Sequence, residues 1–118
     1  MVLSAERGAA AEGSEVVSGP RCSVVVRPSV DGIVVSIAGE FDVAAIPEVT
    51  AAVRPHVGVD ILVDLEEVTF IDSSGLHCLF GLRAEAAEVG RRLRVAKVSP
   101  VVARVFEMAG VAETLRCR

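Results

Sequence analysis

The residues that stand out chemically are Asp72, Ser73 and Ser74, followed by Gly75, at the point where a short extended run gives way to a helical pattern. A helix N-terminus carries unpaired backbone N–H groups and about half a positive charge. A serine there can cap the helix, which is worth roughly 1 kcal/mol, or accept a phosphoryl group in the field of the helix dipole. Gly75 would let the backbone of another protein come close. The residues alone favour capping, because serine is common at helix starts.

A catalytic role for Ser73 would require a neighbouring base. The only histidines are His56 and His77, and the chain has no Gly-x-Ser-x-Gly motif. His77 lies one helical turn after Ser73, so the two side chains can share a helix face, but a surface position explains His77 equally well. We therefore expect no catalytic residue, no cofactor and no metal site, and we do not expect an enzyme.

Composition excludes several classes of function. The net charge is -4 and aromatic residues make up only 3% of the chain, so a nucleic-acid partner is not expected. The one basic cluster, residues 91–94, reads as the solvated start of a strand. Three scattered cysteines (Cys22, Cys78 and Cys117) fit reduced thiols. Because the first twenty residues contain three glutamates and no continuous apolar run, we expect neither a secretory signal nor a membrane span, and a cytoplasmic location.

The first half of the chain predicts a tail followed by two strands and a helix. Residues 1–20 are rich in Ala, Gly, Ser and Glu and read as a flexible tail. Residues 22–27 and 33–39 read as strands joined by a turn at Asp31-Gly32, which favours a hairpin. Residues 44–57 read as a helix, with its Pro47 tolerable only in the first turn.

The second half alternates strands and helices. Residues 59–65 predict a buried strand, and residues 70–71 a separate short extended piece. A helix over 73–89 should stop at Gly90, a strand should cover 93–98, and Ser99-Pro100 should open a last helix ending at Ala109-Gly110. Leu115 is assigned to a possible last short strand. The order β-β-α-β-α-β-α predicts one α/β domain over residues 21–118, with helices packed on a mixed sheet and right-handed crossovers.

Three segments resemble the STAS domain (sulfate transporter and anti-sigma factor antagonist). Residues 63–76, which include Phe70-Ile71-Asp72-Ser73-Ser74-Gly75-Leu76, resemble the family's signature. Gly39-Glu40-Phe41-Asp42 resembles its Gly-Glu-Leu-Asp segment, and residues 99–111 are similar to its last helix. The resemblance covers residues 22–116, and the three motifs occur in the family's order and spacing.

This resemblance implies a stand-alone bacterial anti-sigma factor antagonist. The unphosphorylated form of such a protein binds an anti-sigma factor and frees the sigma factor. The anti-sigma factor is also a GHKL-type serine kinase, which phosphorylates the first serine after the aspartate, here Ser73, and so ends the complex; a PP2C-type phosphatase reverses this. The residues expected around the phosphorylation site, which would form the partner-binding surface, are Asp42, Asp72, Ser74, Gly75, Leu76 and His77.

Phosphorylation would add negative charge at Ser73. New charge on Ser73 should repel an acidic partner, because Asp72, Glu66 and Glu67 are expected nearby, as is Asp42 if its turn lies at the same end of the sheet. Many antagonists carry Gly where this chain has His77, which predicts an altered partner preference.

The alternative function is that of a STAS binding module without phosphorylation, such as a stressosome scaffold or a lipid-transporter accessory subunit. Such modules often replace the acceptor serine, whereas Ser73 and Ser74 are both present here.

Overall fold

A mixed sheet is built by strands whose apolar residues alternate. The computed structural model describes residues 14–115, and their strands are β1 (Glu15–Ser18), β2 (Cys22–Pro28), β3 (Gly32–Phe41), β4 (Asp60–Ile71) and β5 (Leu93–Val98). The five strands lie in the sheet in this order. The pairs β1–β2 and β2–β3 are antiparallel, whereas β3–β4 and β4–β5 are parallel.

Each parallel pair is joined through a helix, as parallel strands require. The helices are α1 (Ile46–Val53), α2 (Ser73–Glu88), α3 (Pro100–Ala109) and α4 (Ala112–Leu115). Helix α1 is flanked by short 3₁₀ turns and has Pro47 in its first turn, as predicted. Ser99 caps α3 by accepting a hydrogen bond from Val102 N, with Pro100 in its first turn. The predicted α/β class and the order from β2 to α3 are confirmed.

One apolar layer lies between the sheet and the helices. Alternate residues of β2 to β5 enter a single buried cluster, and the strand registers place them on one face of the sheet. Phe41 and Phe106 are fully buried within it. Helix residues such as Val49, Leu79 and Val102 complete this cluster. The core therefore consists almost entirely of aliphatic side chains, as the composition predicts.

The tail prediction is wrong for Glu15–Ser18, which forms strand β1. Val17 packs against the core, and the strand pairs with β2 from Glu15↔Val26 to Ser18↔Ser23. A run of only four residues gives a weak pattern, and its pairing with β2 depends on tertiary structure. Residues 1–13, the rest of the predicted tail, lie outside the described residues.

Strand β4 is continuous, whereas the sequence predicted separate pieces at 59–65 and 70–71. Its register with β3 shifts twice, and both shifts place an extra residue in β4. The buried residues Leu65, Val68 and Ile71 are consequently three apart instead of two. A β-bulge of this kind changes which face the following side chains occupy. The interrupted apolar pattern is thus that of a bulged strand.

The assignment of Leu115 to a strand is also wrong. Leu115 lies in α4, where its N–H donates to Val111 O at 3.2 Å. Its side chain is fully buried in the core cluster. A helical turn, and not a strand, brings Leu115 into the core.

Candidate functional site

The candidate site lies where β3 and β4 end side by side. Phe41 and Ile71, the last residues of these parallel strands, are paired in register. The next residues, Asp42 and Asp72, have nearly the same extended backbone, with φ/ψ of -118°/-168° and -123°/-171°. The predicted neighbours Asp42 and Asp72 therefore lie at the same edge of the sheet.

Each aspartate caps the turn that follows it. Asp42 Oδ1 accepts a hydrogen bond from Ala44 N at 3.0 Å. Asp72 Oδ1 accepts one from Gly75 N at 3.1 Å. A carboxylate at a helix start satisfies an unpaired N–H group and interacts favourably with the helix dipole. Both carboxylates thus have a structural role that orders the loops around Ser73.

Ser73 is the first residue of α2 and is exposed. Because Asp72 is the residue that caps α2, capping does not occupy Ser73. Within residues 14–115, no side-chain hydrogen bond involves the Ser73 hydroxyl. This arrangement removes the capping interpretation that the sequence favoured for the serine, and leaves a hydroxyl at a helix N-terminus that can be modified.

Gly75 and Leu76 have a packing role. Both are buried. A Cβ atom on Gly75 would lie 2.5 Å from the carbonyl oxygen of Phe41 and 3.0 Å from Ile71 Cγ1. The close backbone approach at Gly75 is therefore made by β3 of the same chain, and the expectation that it admits another protein's backbone does not fit its burial. The glycine lets the first turn of α2 sit against the ends of β3 and β4.

The other predicted neighbours line a groove between α1 and α2. Ser74 is half-buried and His77 is exposed, and both border a cavity of about 210 Å³. The remaining residues of this groove are Ile46, Thr50, Arg54, Cys78, Gly81 and Leu82. We call this feature the α1–α2 groove. It opens on the same side of α2 as His77, one turn from Ser73.

An ion pair links the residue that follows α1 to helix α2 at the far end of the groove. Arg54 donates through Nε and Nη2 to the Glu85 carboxylate, at 3.0 and 2.7 Å. This bidentate contact lowers the pKa of Glu85, and it raises the pKa of Arg54. Near the middle, Thr50 Oγ1 lies 3.8 Å from Cys78 Sγ. These contacts join the two walls of the groove.

The charges around the site differ in part from the expectation. Arg21 contacts both Glu40 and Asp42 at 3.2 Å, so a cation partly neutralises the acidic edge. Glu67 is not close to Ser73, because four further residues of β4 follow it at about 3.3 Å each. Glu66 lies further still, and is 3.8 Å from Lys97. Of the four carboxylates expected near Ser73, those of Asp42 and Asp72 share its edge of the sheet.

Sequence reasoning missed two residues at this edge. Val43 follows Asp42 and is 65% exposed, a large apolar side chain in the open beside the site. It precedes the predicted helix, so the helical pattern gave no reason to single it out. Arg21 was assigned to the start of the domain, and its partners are 19 and 21 positions away (40 − 21 and 42 − 21). Only the antiparallel pairing of β2 with β3 brings them together.

The two described cysteines are not poised for chemistry. Burial raises the pKa of Cys22 to about 11, with further contributions from Glu48 and Asp42. Burial also raises the pKa of Cys78. Cys117 lies outside the described residues.

Within residues 14–115 no group of three or more His, Cys, Asp or Glu side chains is placed to hold a metal ion. No helix in this part of the chain is long and apolar enough to cross a membrane.

Comparisons with known proteins agree with this architecture. A family model of the STAS domain matches residues 21–118. The anti-sigma-B factor antagonist of Staphylococcus aureus is 32% identical over 84 residues, which are 69% of this chain and 78% of that protein. An anti-sigma factor antagonist from Mycobacterium paratuberculosis has a similar structure, with a TM-score of 0.72 and 24% identity over 84% of this chain and 87% of that one. The anti-sigma factor antagonist SpoIIAA in its unphosphorylated form gives a TM-score of 0.66 at 24% identity, over 76% and 83% of the two chains.

Proposed function

The chain belongs to the STAS-domain family, and we propose that it is an anti-sigma factor antagonist whose binding to an anti-sigma factor is ended by phosphorylation of Ser73. Relatives of this kind are regulatory binding proteins and not enzymes. The observation that carries the proposal is that Asp72 caps α2, which leaves the Ser73 hydroxyl exposed and without a structural partner among the described residues.

The fold can accept a phosphate at this position. Ser73 begins a helix of 16 residues, and the N-terminus of such a helix stabilises negative charge. A phosphoserine carries about -1.5 to -2 charges at pH 7. The new charge would therefore remain at the surface without unfolding the first turn of α2. Its effect falls on whatever protein contacts that surface.

A bound partner would be affected by both size and charge. The phosphate would stand at the same edge as the Asp42 and Asp72 carboxylates, which already make it acidic. A complex that covers this edge would have to remove water from the phosphate, and a buried charge without a partner costs several kcal/mol. Phosphorylation then separates the proteins by changing the surface, with no rearrangement of the sheet.

The phosphoryl group would come from ATP held by the partner. The Ser73 oxygen forms a bond to the γ-phosphorus, the bond between that phosphorus and the ADP oxygen breaks, and the hydroxyl proton passes to a base. We assign this base to the partner, which also holds the ATP. We propose, as the family resemblance implies, that the partner is an anti-sigma factor with GHKL-type serine kinase activity and that a PP2C-type phosphatase restores the free hydroxyl.

The surface that binds the partner would include Ser73 and the exposed residues around it. Exposed Val43 belongs to the 3₁₀ turn that Asp42 caps, just before α1. His77 borders the α1–α2 groove. Apolar side chains at the centre of a patch with a polar rim are typical of protein interfaces. His77 is the member of this surface that we expect to set partner preference.

Phosphorylation by the anti-sigma factor of the same organism tests this function. The protein is incubated with that kinase and Mg-ATP, and its peptides are analysed by mass spectrometry. We expect one phosphate on the peptide containing Ser73, none in Ser73→Ala, and full phosphorylation in the matched control Ser74→Ala. Full phosphorylation of Ser73→Ala would overturn the assignment. A binding module without a phosphorylation switch would instead remain unmodified in all three proteins.

A further inference from the structure

A polar cavity lies at the edge of the sheet opposite Ser73. Its volume is about 380 Å³, within the range of about 300 to 1,000 Å³ that is typical of small-molecule sites. The turn between β2 and β3, the starts of β3 and β4, and the segment leading into β5 surround it. Its charged lining residues are Asp31, Asp60, Arg91 and Arg94.

Backbone contacts hold this cavity in shape. Arg92 N donates to Asp60 Oδ1 at 3.0 Å, and Ile61 N donates to Arg92 O at 2.8 Å. A Cβ atom on Gly32 would clash with the carbonyl oxygen of Asp60, so β3 and β4 approach here as only glycine permits. The turn before β3 is closed by a hydrogen bond from Ser29 N to Gly32 O at 2.8 Å. Arg91 and Arg94 therefore project from a fixed rim.

The two arginines have no counter-ion among residues 14–115. Arg21 and Arg54 each form ion pairs, whereas the described part of the chain offers none to Arg91 or Arg94. A guanidinium group presents a planar fork of donors that matches phosphate oxygens. Arg91 and Arg94 therefore offer two such forks beside one concave surface, which Asp31 and Asp60 also line.

The carboxylates in the cavity indicate which groups the ligand carries besides its phosphate. Asp31 is exposed and Asp60 is held by Arg92 N. Carboxylate oxygens only accept hydrogen bonds at neutral pH, so a ligand beside them must donate, as sugar hydroxyl groups do. Ile33 and Leu62 add apolar surface to the wall. From this combination we propose that the cavity binds a small hydroxylated phosphomonoester, of the sugar phosphate class, with its phosphate on Arg91 and Arg94.

This site is separate from the proposed phosphorylation site. It lies at the Gly32↔Asp60 start of the β3–β4 pair, whereas Ser73 follows the Phe41↔Ile71 end. The ten residues of β3 separate the two ends by about 30 Å. Ligand binding here and phosphorylation at Ser73 can therefore be tested independently, and failure of one leaves the other unaffected.

Titration of the isotope-labelled protein with ribose 5-phosphate, followed by amide chemical shifts, tests the proposal. Ribose and inorganic phosphate are titrated in parallel, and sodium chloride is used to match ionic strength. We expect saturable shifts at Ser29, Gly32 and Asp60 with ribose 5-phosphate, weaker binding of phosphate and none of ribose. The double variant Arg91→Gln/Arg94→Gln should bind ribose 5-phosphate at least about tenfold more weakly, because it loses the charged hydrogen bonds from both arginines to the phosphate.

The control variant is Arg104→Gln, which changes an exposed arginine on α3 outside the cavity. Its affinity should equal that of the unaltered protein. The single variants Arg91→Gln and Arg94→Gln, each checked for an unchanged thermal midpoint, should fall between the two. Shifts that sodium chloride reproduces, or that persist in the double variant, would overturn the proposal. The absence of saturation would also overturn it, and would indicate that the two arginines contact an acidic protein surface instead.

Discussion

Asp42 and Asp72 cap neighbouring turns from equivalent positions, one residue after the paired ends of two parallel strands. Their backbone angles agree to within a few degrees, and each carboxylate accepts an N–H bond from the turn that follows it. The edge of the sheet thus presents two ordered loops, with Ser73 at the start of the longer helix. The geometry of the proposed switch rests on these caps.

Removing the cap of α2 should destabilise the fold. Asp72→Ala loses the hydrogen bond to Gly75 N, and we expect the free energy of unfolding to fall by about 1 kcal/mol, within a range of about 0.5–2. Asp72→Asn is the matched control, because asparagine caps about as well as aspartate. Urea unfolding measures both. Equal losses in the two variants would show that the cap does not contribute as described.

Two glycines of α2 should respond in opposite ways to the same substitution. Gly75→Ala places a methyl group 2.5 Å from the Phe41 carbonyl oxygen, and overpacking of this kind costs about 1–3 kcal/mol. At Gly81 a Cβ atom would meet nothing within 4 Å, so Gly81→Ala should stabilise the helix by up to about 1 kcal/mol. Thermal unfolding distinguishes them. Changes of the same sign would contradict the packing described for Gly75.

Stability should fall in alkali because Cys22 is buried. Its pKa rises from 9.0 to about 11 on folding. Between these values the unfolded chain has lost the thiol proton while the folded chain keeps it, so the free energy of unfolding decreases as pH rises from 9 to 11. The chain has no tyrosine and Lys97 is its only lysine, which leaves few other groups to titrate in this window.

Urea unfolding between pH 8 and 11 measures this effect. Cys22→Ala should flatten the profile, although it lowers stability at every pH by removing a buried side chain. Cys78→Ala should flatten it only in part, since the pKa of Cys78 is raised too. A profile in Cys22→Ala as steep as that of the unaltered protein would rule out Cys22 as the cause.

His77 should matter for partner binding and not for folding. It is exposed on α2, so His77→Ala should change stability by no more than about 0.5 kcal/mol. If it lies in the proposed interface, affinity for the anti-sigma factor should fall by about fivefold or more. The control is Glu88→Ala, an exposed residue at the far end of the same helix. Equal affinities for the two variants would place His77 outside the interface.

The order of strands and helices could be predicted because capping residues and the spacing of apolar residues mark most of these elements locally. Ser99-Pro100 marks the start of α3, and the period of the apolar residues separates strands from helices. The bulges of β4 could not be predicted, because the extra residues are defined only by pairing with β3. Strand β1 was missed because its four residues depend on β2 for their pairing.

At the candidate site, the sequence indicated which residues matter, but not which structural role each of them has. Aspartate and serine are both good N-caps, so sequence alone could not tell that Asp72 caps α2 and Ser73 does not. Gly75 was expected to admit the backbone of another protein, but the backbone that approaches it belongs to β3. Which backbone approaches it depends on how α2 packs against Phe41, and no local pattern contains that information.

The most direct test of the proposed switch is the affinity of the anti-sigma factor for this protein with and without a phosphate on Ser73. Protein carrying phosphoserine at position 73 is compared with the unmodified form by isothermal titration calorimetry, after circular dichroism has shown that both are folded. We expect the phosphate to weaken binding by at least about 100-fold, the effect of an unpaired charge in a dry interface. Equal affinities for the two forms would contradict the account.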